Sequence, residues 1–122
     1  MIYFVGVHYK KGYTALDSRT ISGKIIDRII EGVGKDRCEK MNLYPTEYLP
    51  SVDFQKEYIQ KFINSIDNNS LYILLGKEVW IVREHIHNSF LFYHPSYYNR
   101  NGTKKVNDFV CEAIKIINDF LS

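Results

Sequence analysis

Short apolar runs alternate with helix-period stretches four times along this chain, and that alternation constrains the fold more than any other feature. Ile2-Tyr-Phe-Val-Gly-Val-His-Tyr9, Glu39 to Tyr44, Leu71 to Leu75 and Phe90 to Tyr93 read as strands, rich in branched and aromatic residues. Leu71 to Leu75 has no polar position, as a strand buried on both faces requires. Between the strands, Ile25, Ile26, Ile29, Ile30 and Val33 recur with helical period. So do Phe54, Tyr58, Ile59, Phe62, Ile63 and Ile66, and later Phe109, Val110, Ala113, Ile114, Ile117, Phe120 and Leu121. Ser22 and Ser51 are the expected caps of the first two helices; Gly32 with Gly34 and Asp67-Asn-Asn69 are their expected ends. After Gly76 a short helix should carry Val79, Trp80 and Val82, and the last helix should start near Lys105. Such alternation predicts a parallel sheet with right-handed crossovers and helices on both faces. The strands are expected near residues 2–8, 40–44, 71–75 and 90–93.

A chain of 122 residues makes one domain, 1–122, with a core that needs no disulfide or metal. Its net charge of +2 is too small to argue for nucleic acid by itself. No apolar run approaches the roughly 20 residues that cross a bilayer, and the first strand begins at Ile2 without a basic leader. Cys38 and Cys111 are too few for a disulfide framework or a thiolate cluster. These features predict a cytoplasmic monomer without membrane contact, metal or cofactor.

In an open parallel sheet, ligands bind beyond the carboxyl ends of the strands, where the strand order reverses. Four stretches should therefore build the site: Gly6-Val-His-Tyr9 with its long loop, Asn42-Leu-Tyr-Pro45, Gly76-Lys77, and His94-Pro-Ser96. The last leads into an aromatic, basic segment, Tyr97-Tyr-Asn-Arg-Asn-Gly102, read as a loop. Lys10, Lys11, Arg19, Lys24, Lys77, Arg100, Lys104 and Lys105 follow the strands, with Asp17 and Glu78 the only acids there. That makes either a basic rim suited to phosphates or a set of solvated loop residues. Tyr9, Tyr13, Tyr44, Tyr97 and Tyr98 near the strand ends would suit stacking on bases. Glu84-His85-Ile-His87 has metal-like spacing but lies away from this edge, and reads better as a solvated helix end.

Asn42, the Leu74-Leu-Gly-Lys-Glu run and His94-Pro95-Ser96, in that order, resemble the uracil-DNA glycosylase superfamily. Ser22-Gly23-Lys24-Ile-Ile-Asp27 is similar to the start of the first helix in its iron–sulfur branch. The resemblance implies an α/β/α three-layer sandwich, a four-stranded sheet in order 2-1-3-4, and hydrolysis of the N-glycosidic bond of uracil or a related damaged base flipped out of DNA. It implies that His94 stabilises the departing base and that Asn42 reads it, because one amide supplies donor and acceptor. Ser96 would touch phosphate, and Tyr97 or Tyr98 would fill the gap left by the flipped base. DNA contacts are expected from Arg100, Lys10, Lys11, Lys104 and Lys105. The pattern departs after the first strand, where Gly6-Val-His-Tyr-Lys-Lys-Gly12 lacks the family's acid, amide or proline. His8 and Asp17 are left as groups that could polarise water, with Gly6 and Tyr9 or Tyr13 beside the base. The four cluster cysteines are absent.

Each residue also has a plainer reading. Asn42 can be a turn residue bonded to its own backbone, His94 a structural histidine, His8 a surface residue and Asp17 a loop or cap residue. No Walker loop, dinucleotide fingerprint or Gly-x-Ser-x-Gly elbow occurs. A silent DNA-binding protein, a module for a free nucleobase or nucleotide, and a nucleoside-processing enzyme remain as alternatives.

Overall fold

A computed structural model of the chain describes residues 1–8 and 10–122. Four strands form one sheet: β1 (Ile2–Gly6), β2 (Cys38–Asn42), β3 (Leu71–Leu75) and β4 (Ser89–Phe92). The order is β2-β1-β3-β4 and every pairing is parallel. The helices are α1 (Ile21–Val33), α2 (Val52–Asn64), α3 (Pro95–Arg100) and α4 (Thr103–Leu121). Short 3-10 turns span Lys35–Arg37 and Trp80–His85. None of the described helices is long and apolar enough to cross a membrane.

The period of two along the strands separates the two cores. Ile2 and Phe4 of β1, Ile73 and Leu75 of β3 and Phe92 of β4 face α1 and α4, where Ile26, Ile29, Phe109, Ala113 and Ile117 close the layer. Val5, Tyr72 and Leu74 face the other way, onto Phe62 of α2 and Val79 and Val82 around the second 3-10 turn. β3 is buried along its whole length, which is why it carries no polar residue. Helices on both faces of a fully parallel sheet give the expected three layers.

Several boundaries differ from the sequence reading. Thr20, not Ser22, caps α1: its Oγ1 accepts from the Gly23 N–H at 3.0 Å. A Cβ at Gly23 would fall 1.8 Å from the Asp17 carbonyl oxygen, so a glycine is what lets the helix start pack on the preceding loop. α1 continues through Gly32 and ends at Gly34, whose φ is 125°. α2 stops at Asn64, and Phe54 of its expected stripe is 57% exposed, since the helix packs on the sheet through its C-terminal half, at Phe62. Strand pairing fades before residues 8 and 44, although the Leu43 and Tyr44 N–H groups still bond the Gly6 and Val7 carbonyls, each at 2.9 Å. The segment after His94 is not a loop. His94 caps α3, Pro95 takes the first helical position, and α4 begins at Thr103 after Gly102.

Candidate functional site

The register fixes the carboxyl edge of the sheet. Gly6 lies opposite Asn42, and Leu75 opposite Phe92, so Gly76 and His94 come next beyond β3 and β4. The order reverses between β1 and β3, which opens a crevice outside these ends. A cavity of about 270 Å³ occupies it, lined by Gly6, His8, Lys10, Tyr13, Thr14, Asp17, Ser22, Asn42 and His94 among others. Three of the four stretches expected to converge therefore supply the walls: the end of β1 with its loop, the end of β2, and His94. Lys77 lies outside this cavity, in a hollow with Trp80 and Arg83. Tyr9, expected beside the base, lies outside the described residues.

Asn42 closes β2, and its side chain lies against Gly6. Its Nδ2 is buried and has no hydrogen-bond partner among the described residues. A buried donor left unmade costs about 1–3 kcal/mol, so the amide carries an unmet capacity to donate. It is not the self-bonded turn residue that the plainer reading allowed.

His94 is half-buried. Its Nδ1 accepts from the Ser96 N–H at 3.2 Å and lies 2.8 Å from Ser96 Oγ. In the neutral ring the proton is then on Nε2, which makes that nitrogen the free donor. Burial lowers the His94 pKa; Glu78 nearby opposes this and Arg100 adds to it. The ring is thus neutral near pH 7 and donates without carrying charge. Nearby, Trp80 Nε1–H donates to the carbonyls of Leu74 at 3.3 Å and Phe92 at 3.0 Å. Those two bonds tie the ends of β3 and β4 together.

Asp17 borders the cavity, but its carboxylate is already spoken for. It accepts from Thr14 N and Oγ1 and from Arg19 N, Nε and Nη2, at 2.8–3.2 Å. The Arg19 guanidinium holds its pKa far below the ordinary carboxylate range. Such an acid is a poor general base, and its position is that of a loop brace. Arg19 Nη2 also donates to the Gly12 carbonyl at 2.8 Å and the guanidinium stacks 4.4 Å over the Tyr13 ring, which closes the loop on itself. Leu16, in the left-handed region at φ 46°, turns its side chain inward as the loop bends. Lys40 pins this loop to β2, donating to Leu16 O at 2.7 Å and to Asp27 Oδ1 at 2.6 Å.

His8 lines the cavity and faces solvent. Lys10 lines both the cavity and an adjoining hollow with Tyr13, Thr14 and Thr46. Lys11, Arg100, Lys104 and Lys105 are exposed. Two further expectations change. Ser96 is engaged with the His94 ring, so it orients that histidine instead of standing free for phosphate. Tyr98 is partly buried, stacks on Phe109 at 4.2 Å and 5°, and accepts from the Tyr93 N–H through its hydroxyl, so its ring is committed to packing against the core. Tyr97 remains accessible, at 40% exposure. Tyr44, too, is buried, edge-on to Tyr58.

Sequence reasoning did not single out Thr14, Thr20 and Ser22 as lining residues, nor Lys40 as the loop's anchor. Their only signal was membership of, or proximity to, the long segment after β1. The described residues contain no group of three or more His, Cys, Asp or Glu side chains that could hold a metal ion. Comparisons with protein-family models, with curated proteins and with solved structures find no match. The resemblance to uracil-DNA glycosylases rests on the residues quoted above.

Proposed function

We propose that the cavity receives a nucleobase flipped out of DNA and that the protein is a divergent uracil-DNA glycosylase-like hydrolase. The observation that carries this reading is the unpaired, buried Nδ2 of Asn42 in the same cavity as a neutral histidine whose Nδ1 is occupied. A pyrimidine with a carbonyl beside a ring N–H complements a carboxamide, which both donates and accepts. Departure of the base leaves negative charge on it, and an N–H donor aimed at a carbonyl oxygen stabilises that charge. His94 would supply this donor through Nε2. Lys10, at the cavity and in the adjoining hollow, suits the phosphates flanking a flipped nucleotide. Water would be polarised by His8, whose imidazole lines the cavity, because Asp17 is committed to Arg19.

A second reading has its own support. Among the described lining residues the carboxylate is Asp17, and its bonds to Arg19 lock it in its loop, away from the activation of water. The same site would then be a catalytically silent DNA- or nucleotide-binding site. Alkali-induced strand cleavage of oligonucleotides carrying uracil, hypoxanthine or oxidised pyrimidines separates the two. Abasic product that falls roughly 100-fold or more in His94→Ala, and also falls in Asn42→Ala, is the result expected of the enzyme. DNA binding with no abasic product at stoichiometric protein leaves the silent binder.

A further inference from the structure

Outside the residues that line the cavity, just past the end of β4, an aromatic step stands open to solvent. Tyr93, the residue before His94, is 41% exposed although it follows a strand whose last residue is buried. Its ring lies 4.6 Å from that of Tyr97 at 38°, and 5.5 Å from that of Trp80 at 47°. Lys77 Nζ sits 5.8 Å from the Tyr93 ring centroid. Trp80 is fixed from below by its bonds to Leu74 and Phe92, so the step is rigid. The ion pairs among the described residues are Arg19–Asp17, Lys40–Asp27 and Lys61–Glu57. Among the described residues Lys77, Arg100, Lys104 and Lys105 make no ion pair, although Glu78 acts on His94 and Glu112 on Tyr98 nearby.

Two half-exposed rings on a rigid support, with a cation over one of them, have a definite chemistry. They offer a π face to a flat heterocycle and a positive charge to the phosphate next to it. Bases in a duplex already stack on each other, whereas an unpaired base has a free face. We infer that Tyr93, Tyr97 and Lys77 form a stacking platform for single-stranded DNA. The strand would run from the platform past His94 toward the cavity, because Tyr93 and His94 are consecutive residues. The inference extends the DNA reading of the cavity. Its test uses strands with no cleavable base, so the two can fail separately.

The experiment is fluorescence anisotropy with a labelled oligothymidine and with an abasic strand of equal length, which has the same phosphates and no bases. Wild-type protein is expected to bind oligothymidine about ten-fold or more tightly than the abasic strand. Tyr93→Leu, which keeps apolar packing on Trp80, and Tyr97→Ala, on an exposed helix position, should each weaken oligothymidine binding by roughly five-fold or more. Both should leave the abasic strand within about two-fold of wild type, and Tyr97→Trp should preserve the preference. Lys77→Gln should weaken both strands and reduce the dependence on log salt by about one unit. Equal wild-type affinity for the two strands overturns the platform, as does no binding at low salt. So does unchanged oligothymidine affinity in tyrosine variants whose circular dichroism melts match wild type.

Discussion

Asn42 Oδ1 stands 2.7 Å from the point where a Cβ on Gly6 would lie, so the amide of the β2 end occupies the space that the missing side chain of the β1 end leaves. The two residues are partners across the sheet. Glycine here serves a close approach, which places a polar amide against bare backbone at the floor of the cavity.

Gly6→Ala should therefore move the Asn42 amide without abolishing the fold, since the atom in conflict ends a side chain. A cost of about 1–3 kcal/mol is expected for such overpacking. Urea unfolding measures it. Any nucleobase affinity should fall in the same variant, and an unperturbed affinity would mean that the amide does not read the ligand.

Asp17→Asn removes the acceptor of the Arg19 guanidinium and loosens the loop that walls the cavity. The Asp17 pKa is lowered in the folded state, so the unfolded chain binds its proton more readily. Its stabilising effect is then fully present above the unfolded value of about 4 and is lost as pH falls below it. Thermal melts should show the variant less stable than wild type at pH 7, with the gap narrowing as pH falls below about 4. A gap of unchanged size between pH 7 and pH 2 would argue that the ion pair is not the cause.

His94 has the opposite charge type and the same direction of shift. Burial lowers its pKa, so the unfolded chain again takes up the proton first. The folded state loses stability as pH drops below about 6.5, until the folded ring itself protonates. Protonation also puts a hydrogen on Nδ1 and breaks its bond from the Ser96 N–H. Titration of the ring protons by NMR should give a midpoint below about 6.5, and Ser96→Ala should alter that midpoint. In His94→Gln the acid limb of the stability profile should flatten.

Trp80→Phe keeps the ring packed on Tyr93 but deletes the donor to the Leu74 and Phe92 carbonyls. A loss of about 1 kcal/mol in chemical denaturation follows from the lost indole donor, the Phe92 carbonyl keeping its bond from the Gly76 N–H at 2.9 Å. Because those carbonyls end β3 and β4, amide exchange near Gly76 and His94 should quicken more than exchange in α4. Uniform quickening would place the effect in global stability alone.

The layered fold was legible in the chain because burial leaves a period. Leu71 to Leu75 could only be a central strand, and the stripes of Ile25–Ile29 and Phe109–Ile117 could only be helix faces on the sheet. The strand order needed the family resemblance, since alternation alone does not choose among parallel orders. Given that order, the placement of Asn42 and His94 at one edge also followed, because both close strands. What the sequence left open were the local bonds of short polar groups. Ser22 and Thr20 are equally good caps by type, and only the packing of Gly23 on the Asp17 carbonyl selects Thr20. Tyr97 and Tyr98 are the same residue type, yet the turn of α3 sends one to solvent and the other onto Phe109. Asp17 reads as an acid in a site loop until Arg19 and Thr14 are seen to take every lone pair it can share. Periodicity records which side of an element is apolar, and that is a property of the chain. Which donor meets which acceptor depends on distances of a few tenths of an ångström between segments far apart in sequence, and only the tertiary structure decides those.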